Sequence, residues 1–309
     1  MARIPIIDFE GFNDPDHSVR ARIADDVHRA ASEVGFMHVK NLTMDADLVA
    51  GAYKSSTDFF ALPQENKDAC YYRPEINFGY QAVGEQRLDE TISPDLKEAM
   101  TMRNVPGNLG RAKLWPSSEF ADKAALMFNS CLNAANQVME AFAIALELPL
   151  DFFSKCHIGE NSSLRYLHYP VIDRQIREGQ MGAGAHTDFG TVTLLFQDDV
   201  GGLEVQVADG EWYPVPYIEE TIVVNTGDLL ARWTNMIYRS TRHRVKPQML
   251  HEVSARERYS IAFFADPDSS TPVCVLESCT GPGNPAKFLP TTAGEHLAKK
   301  IAESHNLDG

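Results

Sequence analysis

The chain predicts a mainly β protein with flanking helices: a double-stranded β-helix (jelly-roll) core, an N-terminal extension of helices and strands, and a C-terminal helix. Three observations predict it. From about residue 161 the apolar residues come in short β-rich runs: Leu164–Tyr169, Val192–Phe196, Leu203–Val207, Thr221–Asn225 and Tyr259–Phe264. Turn-forming stretches such as Asp199-Val-Gly-Gly202 and Asp209-Gly210 separate them, the pattern of an antiparallel barrel or double-sheet jelly roll. Ahead of them, apolar residues recur at three- and four-residue steps, the period of amphipathic helices.

In chain order, Ile4–Phe9 reads as a short opening strand. Ser18 to Val34 places Val19, Ile23, Val27, Ala30 and Val34 along one helical face. Gly35–Val39 is a strand, and Asp45 to Phe60 a second helix that stops near Pro63, whose ring cannot continue it. Residues 119–147 carry the longest helical pattern, with Ala, Leu and Met on the buried face, and Thr292 to Ser304 is helical again. No repeat, low-complexity tract or long linker divides the chain. Residues 1–115 are therefore expected to pack on a core formed by residues 116–309, as one structural unit.

Hydrophobic residues at 44% and charged residues at 23% describe an ordinary globular chain with enough material for a full core. A net charge of −15 argues against nucleic acid, whose phosphates need a basic face. No run of 18 apolar residues is present, so no membrane helix is expected, and the first residues lack the apolar core of a signal peptide. The five cysteines are odd in number and lack CxxC spacing, which favours free thiols in a reducing compartment, the cytoplasm. The expected partner is a small-molecule substrate; no obligate protein partner is evident.

The chemistry is carried by His186-Thr-Asp188 and, far downstream, His243. Residues i and i+2 of a strand point to one side, so His186 and Asp188 can aim two ligands at one point. His243 lies in a β-capable run, Ser240–Val245, that can cross the same barrel. Two imidazoles and a carboxylate on one face of a metal leave positions open, the ligand set of non-haem Fe(II) oxygenases. The tripeptide alone is a weak signal, because short motifs recur by chance. Of the other histidines, His157 and His251 lie in polar surroundings with no partner pattern, and His168 reads as a packed strand residue.

Arg258 and Ser260 also stand at i and i+2. A guanidinium fork and a hydroxyl on one side suit a carboxylate, and the apolar Ile261-Ala-Phe-Phe264 that follows makes this strand buried, where an Arg needs an anionic partner.

Together these segments resemble the 2-oxoglutarate/Fe(II)-dependent dioxygenase superfamily, in its isopenicillin N synthase-like branch, over nearly the whole chain. The resemblance rests on Ile4-Pro-Ile-Ile-Asp8, Gly35-Phe-Met-His-Val39, Phe59-Phe-Ala-Leu-Pro63, His186–Asp198, Gly201-Gly-Leu-Glu-Val205, Val224–Leu230 and His243-Arg-Val245. It implies that His186, Asp188 and His243 bind Fe(II), that Arg258 and Ser260 hold the distal carboxylate of 2-oxoglutarate with help from Tyr169, and that O2 is a further co-substrate, with ascorbate as a reductant. Leu167 stands where many plant members have an asparagine, so that contact is absent. Leu164–Pro170, Asp228–Asn235 and Arg258–Phe264 are most similar to thymine dioxygenase-like members. In that subgroup the residues matching Arg165, Phe189 and Phe264 face a flat heterocycle; Asn77 and Tyr80 are further pocket candidates. The expected activity is oxidation, as hydroxylation, of a small molecule such as a pyrimidine-like heterocycle, releasing succinate and CO2. Two alternatives stay open: a 2-oxoglutarate-independent iron oxidase, and a non-catalytic metal-binding barrel or zinc hydrolase.

Overall fold

The computed structural model describes residues 4–14, 17–86, 93–173, 175–177, 179–207, 210–250 and 255–304. Asp209 of the expected turn, His251 and His305 lie outside them.

The N-terminal part runs β1 (Ile6–Asp8), α1 (His17–Glu33), β2 (Phe36–Lys40), α2 (Ala46–Phe60), α3 (Gln64–Asp68), β3 (Phe78–Gln81), β4 (Glu98–Arg103), α4 (Val105–Asn108) and α5 (Ser118–Ala145). It continues with β5 (Ser163–Tyr169), β6 (Val171–Ile172), β7 (Ala183–His186), β8 (Val192–Gln197), β9 (Leu203–Gln206), β10 (Trp212–Pro214), β11 (Ile222–Thr226) and α6 (Asp228–Trp233). Last come β12 (His243–Val245), β13 (Gln248–Met249), β14 (Arg258–Ala265), β15 (Pro272–Val273), β16 (Thr291–Thr292) and α7 (Ala293–Ser304).

Two sheets face each other. The larger has eight strands in the order β1-β2-β11-β8-β14-β5-β4-β3, and the smaller has four, β10-β9-β12-β7. The N-terminal strands are part of the larger sheet: β2 pairs with β11 and β4 with β5. The result is a jelly roll whose major sheet is extended at both edges by the N-terminal part.

Strand alternation sorts the core. On β14, Ile261 and Phe263 point one way and join a cluster with Met100, Tyr166, Leu194, Phe128 and Phe142, the last two from α5. Arg258, Ser260, Ala262 and Phe264 point the other way. Ala262 belongs to a second cluster with Leu167, Tyr169, Ala183, Val205 and Val245, which fills the space between the two sheets. Each fully buried Phe or Ile of the first cluster contributes roughly 1.5–3 kcal/mol, and this anchors α5 against the back of the sheet. The helices start as their sequences dictate: the Asp45 side chain accepts the Asp47 N–H, and Ser117 caps α5 by accepting from Phe120 N at 3.1 Å. Just past α5, Glu147 turns left-handed (φ 56°) two residues before Pro149. Among the described residues no helix is long and apolar enough to cross a membrane, and all five cysteines are free thiols.

Candidate functional site

His186 ends β7 and His243 begins β12, and the two are paired across these strands. The pairing carries an irregularity: Val245 is partnered with Ala183, so three residues of β12 span four of β7. This bulge turns both imidazoles into the space between the sheets, with ring centroids 4.2 Å apart. Asp188 corrects the expectation of a shared strand. It lies beyond the end of β7, in a loop laid on the start of α6. Asp228 N donates to Asp188 O at 2.8 Å, and Leu229 N to Gly190 O at 3.0 Å. A Cβ on Gly227 would lie 2.3 Å from Gly190 O, so only glycine permits this approach.

Hydrogen bonds leave the ligand atoms free. His186 Nδ1 donates to Gly184 O (2.7 Å) and His243 Nδ1 to Thr241 O (3.2 Å), which puts the lone pair on each Nε2. Asp188 Oδ2 accepts from Thr193 Oγ1 and Asn225 Nδ2, each at 2.6 Å. Its Oδ1 faces His186 Nε2 at 3.7 Å and His243 Nε2 at 3.6 Å. The three ligand atoms lie within 4.8 Å of one another, and among the described residues this is the single His/Cys/Asp/Glu group with metal-holding geometry. Burial, then the neighbouring His243, holds the His186 imidazole well below its ordinary pKa. Burial pushes Asp188 up, but the two imidazoles and its two donors outweigh it and hold the carboxyl down. A neutral imidazole at His186 beside an ionised carboxylate at Asp188 suits a divalent cation.

On the same inner face, Arg258 is 1% exposed. Its Nε donates to Gly201 O (2.8 Å) and its Nη1 to Ser260 Oγ (3.2 Å), while the guanidinium lies 4.7 Å from the Tyr169 ring centroid. Nη2 is buried without a partner. A buried donor of this kind calls for an acceptor, so the cradle fits a carboxylate.

Arg165 follows along β5 and stands 6.0 Å from the Phe264 ring centroid, with Phe189 in the loop next to Asp188. All three keep part of their surface free. Arg165 Nη2 donates to Gln86 Oε1 at 2.9 Å, and among the described residues it forms no ion pair with a carboxylate. Asn77, in the left-handed region at φ 50°, accepts from the Tyr72 hydroxyl at 2.8 Å, and Tyr72 is electrostatically coupled to Arg165.

Tyr80 is a correction. It pairs with Met100, which pairs with Tyr166, so all three project to the helix side of the sheet, away from the inner face. Its hydroxyl donates to Glu98 Oε2 (2.5 Å), which also takes Lys67 Nζ (2.9 Å), while Glu98 Oε1 bonds His168 Nδ1 (2.7 Å). His157 is a second correction: it is 1% exposed, bonded to Phe153 O (2.7 Å) and Thr191 Oγ1 (2.8 Å). Sequence reasoning missed Thr193, Asn225, Tyr72 and Gln86. Thr193 and Asn225 were legible as inward positions of β8 and β11, but nothing local marked them as donors to Asp188.

The 2OG-Fe(II) oxygenase superfamily model matches residues 160–267, and the model of the non-haem dioxygenase N-terminal region (morphine synthesis) matches residues 4–118. The chain belongs to the 2-oxoglutarate/Fe(II) oxygenases, and is a 2-oxoglutarate-dependent non-haem iron dioxygenase. It is 31% identical over 322 residues to the 2-oxoglutarate-Fe(II) type oxidoreductase hxnY of Emericella nidulans, covering 97% of this chain and 90% of that one. It is 32% identical over 300 residues to the proline hydroxylase buaE of Petromyces alliaceus, covering 90% and 92%. Among solved structures, full-length Neurospora crassa thymine hydroxylase in complex with alpha-KG superposes with a TM-score of 0.87 at 32% identity, over 97% of this chain and 96% of that one. A second structure of that hydroxylase, with alpha-KG and thymine, gives the same TM-score at 30% identity over 97% of each chain.

Proposed function

We propose that His186, Asp188 and His243 hold the iron, that Arg258 and Ser260 with Tyr169 receive the far carboxylate of 2-oxoglutarate, and that the enzyme hydroxylates a small flat heterocycle. The heterocycle lies against Phe189 and Phe264 within hydrogen-bonding reach of Arg165, with Asn77 at the rim. The observation that carries the reading is the unpartnered, buried Arg258 Nη2 on the same inner face as the donors to Asp188.

Bound Fe(II), 2-oxoglutarate and O2 together supply an oxidant able to take hydrogen from a C–H bond, and succinate and CO2 are released. The chain's own residues do the rest. Thr193 and Asn225 hold one carboxylate oxygen so that the other faces the metal. The carbonyls of Gly184 and Thr241 hold each imidazole with Nε2 outward. Leu167, Val223 and Ala262 line the inner face with apolar surface that excludes water. The ligand of one similar structure, thymine bound by the Neurospora crassa hydroxylase, supports a pyrimidine-like ring as the first substrate to try.

Two measurements test the reading. Anaerobic Fe(II) and 2-oxoglutarate added to the protein should raise a visible charge-transfer band that Arg258→Gln weakens. Pyrimidines and other monocyclic heteroaromatics should then be screened for stimulated succinate, with the product mass raised by one oxygen. A band indifferent to Arg258→Gln sinks the co-substrate site; succinate stimulated only by non-aromatic compounds sinks the substrate class.

A further inference from the structure

β7 is an edge strand. The smaller sheet ends on it, and its one neighbour in that sheet, β12, meets it through the bulge. An edge held through an irregular ladder is poorly fixed by its own backbone, yet its last residue is His186.

The outer side of β7 is closed by the segment that leads into β4. Leu96 N donates to Met181 O (2.9 Å) and Gln180 Nε2 to Pro94 O (3.0 Å). At the centre, Asp95 Oδ1 accepts the Gly184 N–H at 2.9 Å, in a buried contact. The carbonyl of that same Gly184 takes the His186 Nδ1 proton at 2.7 Å. The other carboxylate oxygen, Oδ2, is bonded by Lys97 Nζ, and both side chains are almost fully enclosed, at 4% and 7% exposed. Asp95 also closes the turn that carries the Arg165 partner: its N–H donates to Gln86 O and its carbonyl accepts from Gly84 N, each at 3.0 Å. One residue therefore touches the backbone of the ligand strand on one side and the backbone of Gln86, which holds Arg165, on the other.

We propose that Asp95, with Lys97 as its neutralising partner, is a positioning residue for the metal centre: it fixes the Gly184 peptide, and through it the tautomer and direction of the His186 imidazole. This rests on the reading of His186, Asp188 and His243 as the metal ligands. Both Asp95 oxygens are engaged, so it is not itself a ligand. Lys97 removes the penalty of a lone carboxylate in this place, as a buried charge requires. Groups that orient a ligating histidine through its second nitrogen influence metal affinity by about 10- to 100-fold when they are removed. Here the orienting chain is Asp95, the Gly184 peptide, then His186.

The test uses Co(II) alone as probe, added anaerobically to the full-length protein, with affinity and the visible d–d spectrum as readouts. Asp95→Ala would strand the Lys97 charge and risk unfolding, so the informative variants are the doubles Asp95→Ala/Lys97→Met and Asp95→Asn/Lys97→Met. Both remove the buried charges, and only the second keeps an oxygen for Gly184 N–H. The Ala/Met double should bind Co(II) about 10- to 100-fold more weakly, with an altered d–d spectrum, while circular dichroism stays native. The Asn/Met double should return to within a few-fold of the wild type. Equal Co(II) affinity and spectrum in the Ala/Met double overturn the proposal, as does an Asn/Met double no better than the Ala/Met one. If wild-type protein gives a Co(II) spectrum that His186→Ala leaves unchanged, the metal assignment itself fails, and that outcome is distinct from the other two.

Discussion

His186 and His243 face each other across β7 and β12 and aim both Nε2 atoms at one oxygen of Asp188, at 3.7 and 3.6 Å. The site is assembled by cross-strand pairing, and its ligands fall on three segments that only the barrel brings together.

Replacing His186 or Asp188 with Ala should abolish substrate-stimulated succinate formation while leaving the circular dichroism spectrum native. Residual turnover within tenfold of the wild type would remove that residue from the ligand set.

Arg258→Gln deletes a charge-assisted contact contributing about 1.5–3 kcal/mol. The KM for 2-oxoglutarate should rise about 10- to 100-fold, with a smaller change in kcat. A KM within twofold of the wild type would exclude Arg258 as the anchor.

Thr193→Val is nearly isosteric and removes one of the two donors that hold Asp188. Metal affinity measured with Mn(II) should fall about 10- to 100-fold, at little cost in thermal stability away from metal. An unchanged Mn(II) affinity would mean that the Asn225 bond alone fixes the carboxylate.

Gly227→Ala places a methyl group 2.3 Å from Gly190 O and 3.0 Å from Asp188 O, both backbone atoms that cannot swing aside. The loop carrying Asp188 must shift, so stability should drop by about 1–3 kcal/mol, the usual cost of overpacking, and metal binding should weaken with it. Urea unfolding and Mn(II) titration read the two effects. A variant unchanged in both would show that the loop yields without cost.

Burial depresses His38 and His157, each from 6.5 to about 4. The unfolded chain takes up these protons near pH 6.5 and the folded chain only near pH 4, so the folded state loses stability as pH falls from 6.5 towards 4 and keeps it fully above 6.5. For the fully enclosed His157 this amounts to about 3 kcal/mol, at about 1.36 kcal/mol per pKa unit. Urea midpoints of the metal-free protein from about pH 4 to 8 check this, and His157→Gln should flatten the profile. A midpoint independent of pH across that acid range would contradict the burial argument.

Much of this was legible beforehand. The periodicity of residues 18–34 and 45–60, and the β-rich runs starting at 164, 192, 203, 221 and 259, became helices and strands with ends displaced by a residue or so. Arg258 and Ser260 read as one inward face because strand period alone dictates it. What failed had a common cause. Asp188 left the strand because β7 stops at His186 and the chain then turns onto the start of α6, which does not show in a local pattern. Tyr80 went to the wrong face because the phase of β3 is set by its pairing with β4, a long-range register. Asp95 and Lys97 carried no motif at all; the role proposed for them rests on the contact between the segment leading into β4 and the edge of β7.

The division of the core by the large sheet has a chemical result. Every buried sulfur in the two clusters, from Met37, Cys70, Met100 and Met102 to Met127, Cys131, Met139 and Cys279, lies on the helix side. The apolar cluster between the sheets holds no sulfur: apart from the Tyr169 phenol its side chains are hydrocarbon. An enzyme that activates oxygen thereby keeps these core thioethers and thiols behind a wall of hydrogen-bonded backbone, away from the face where a misfired turnover would begin.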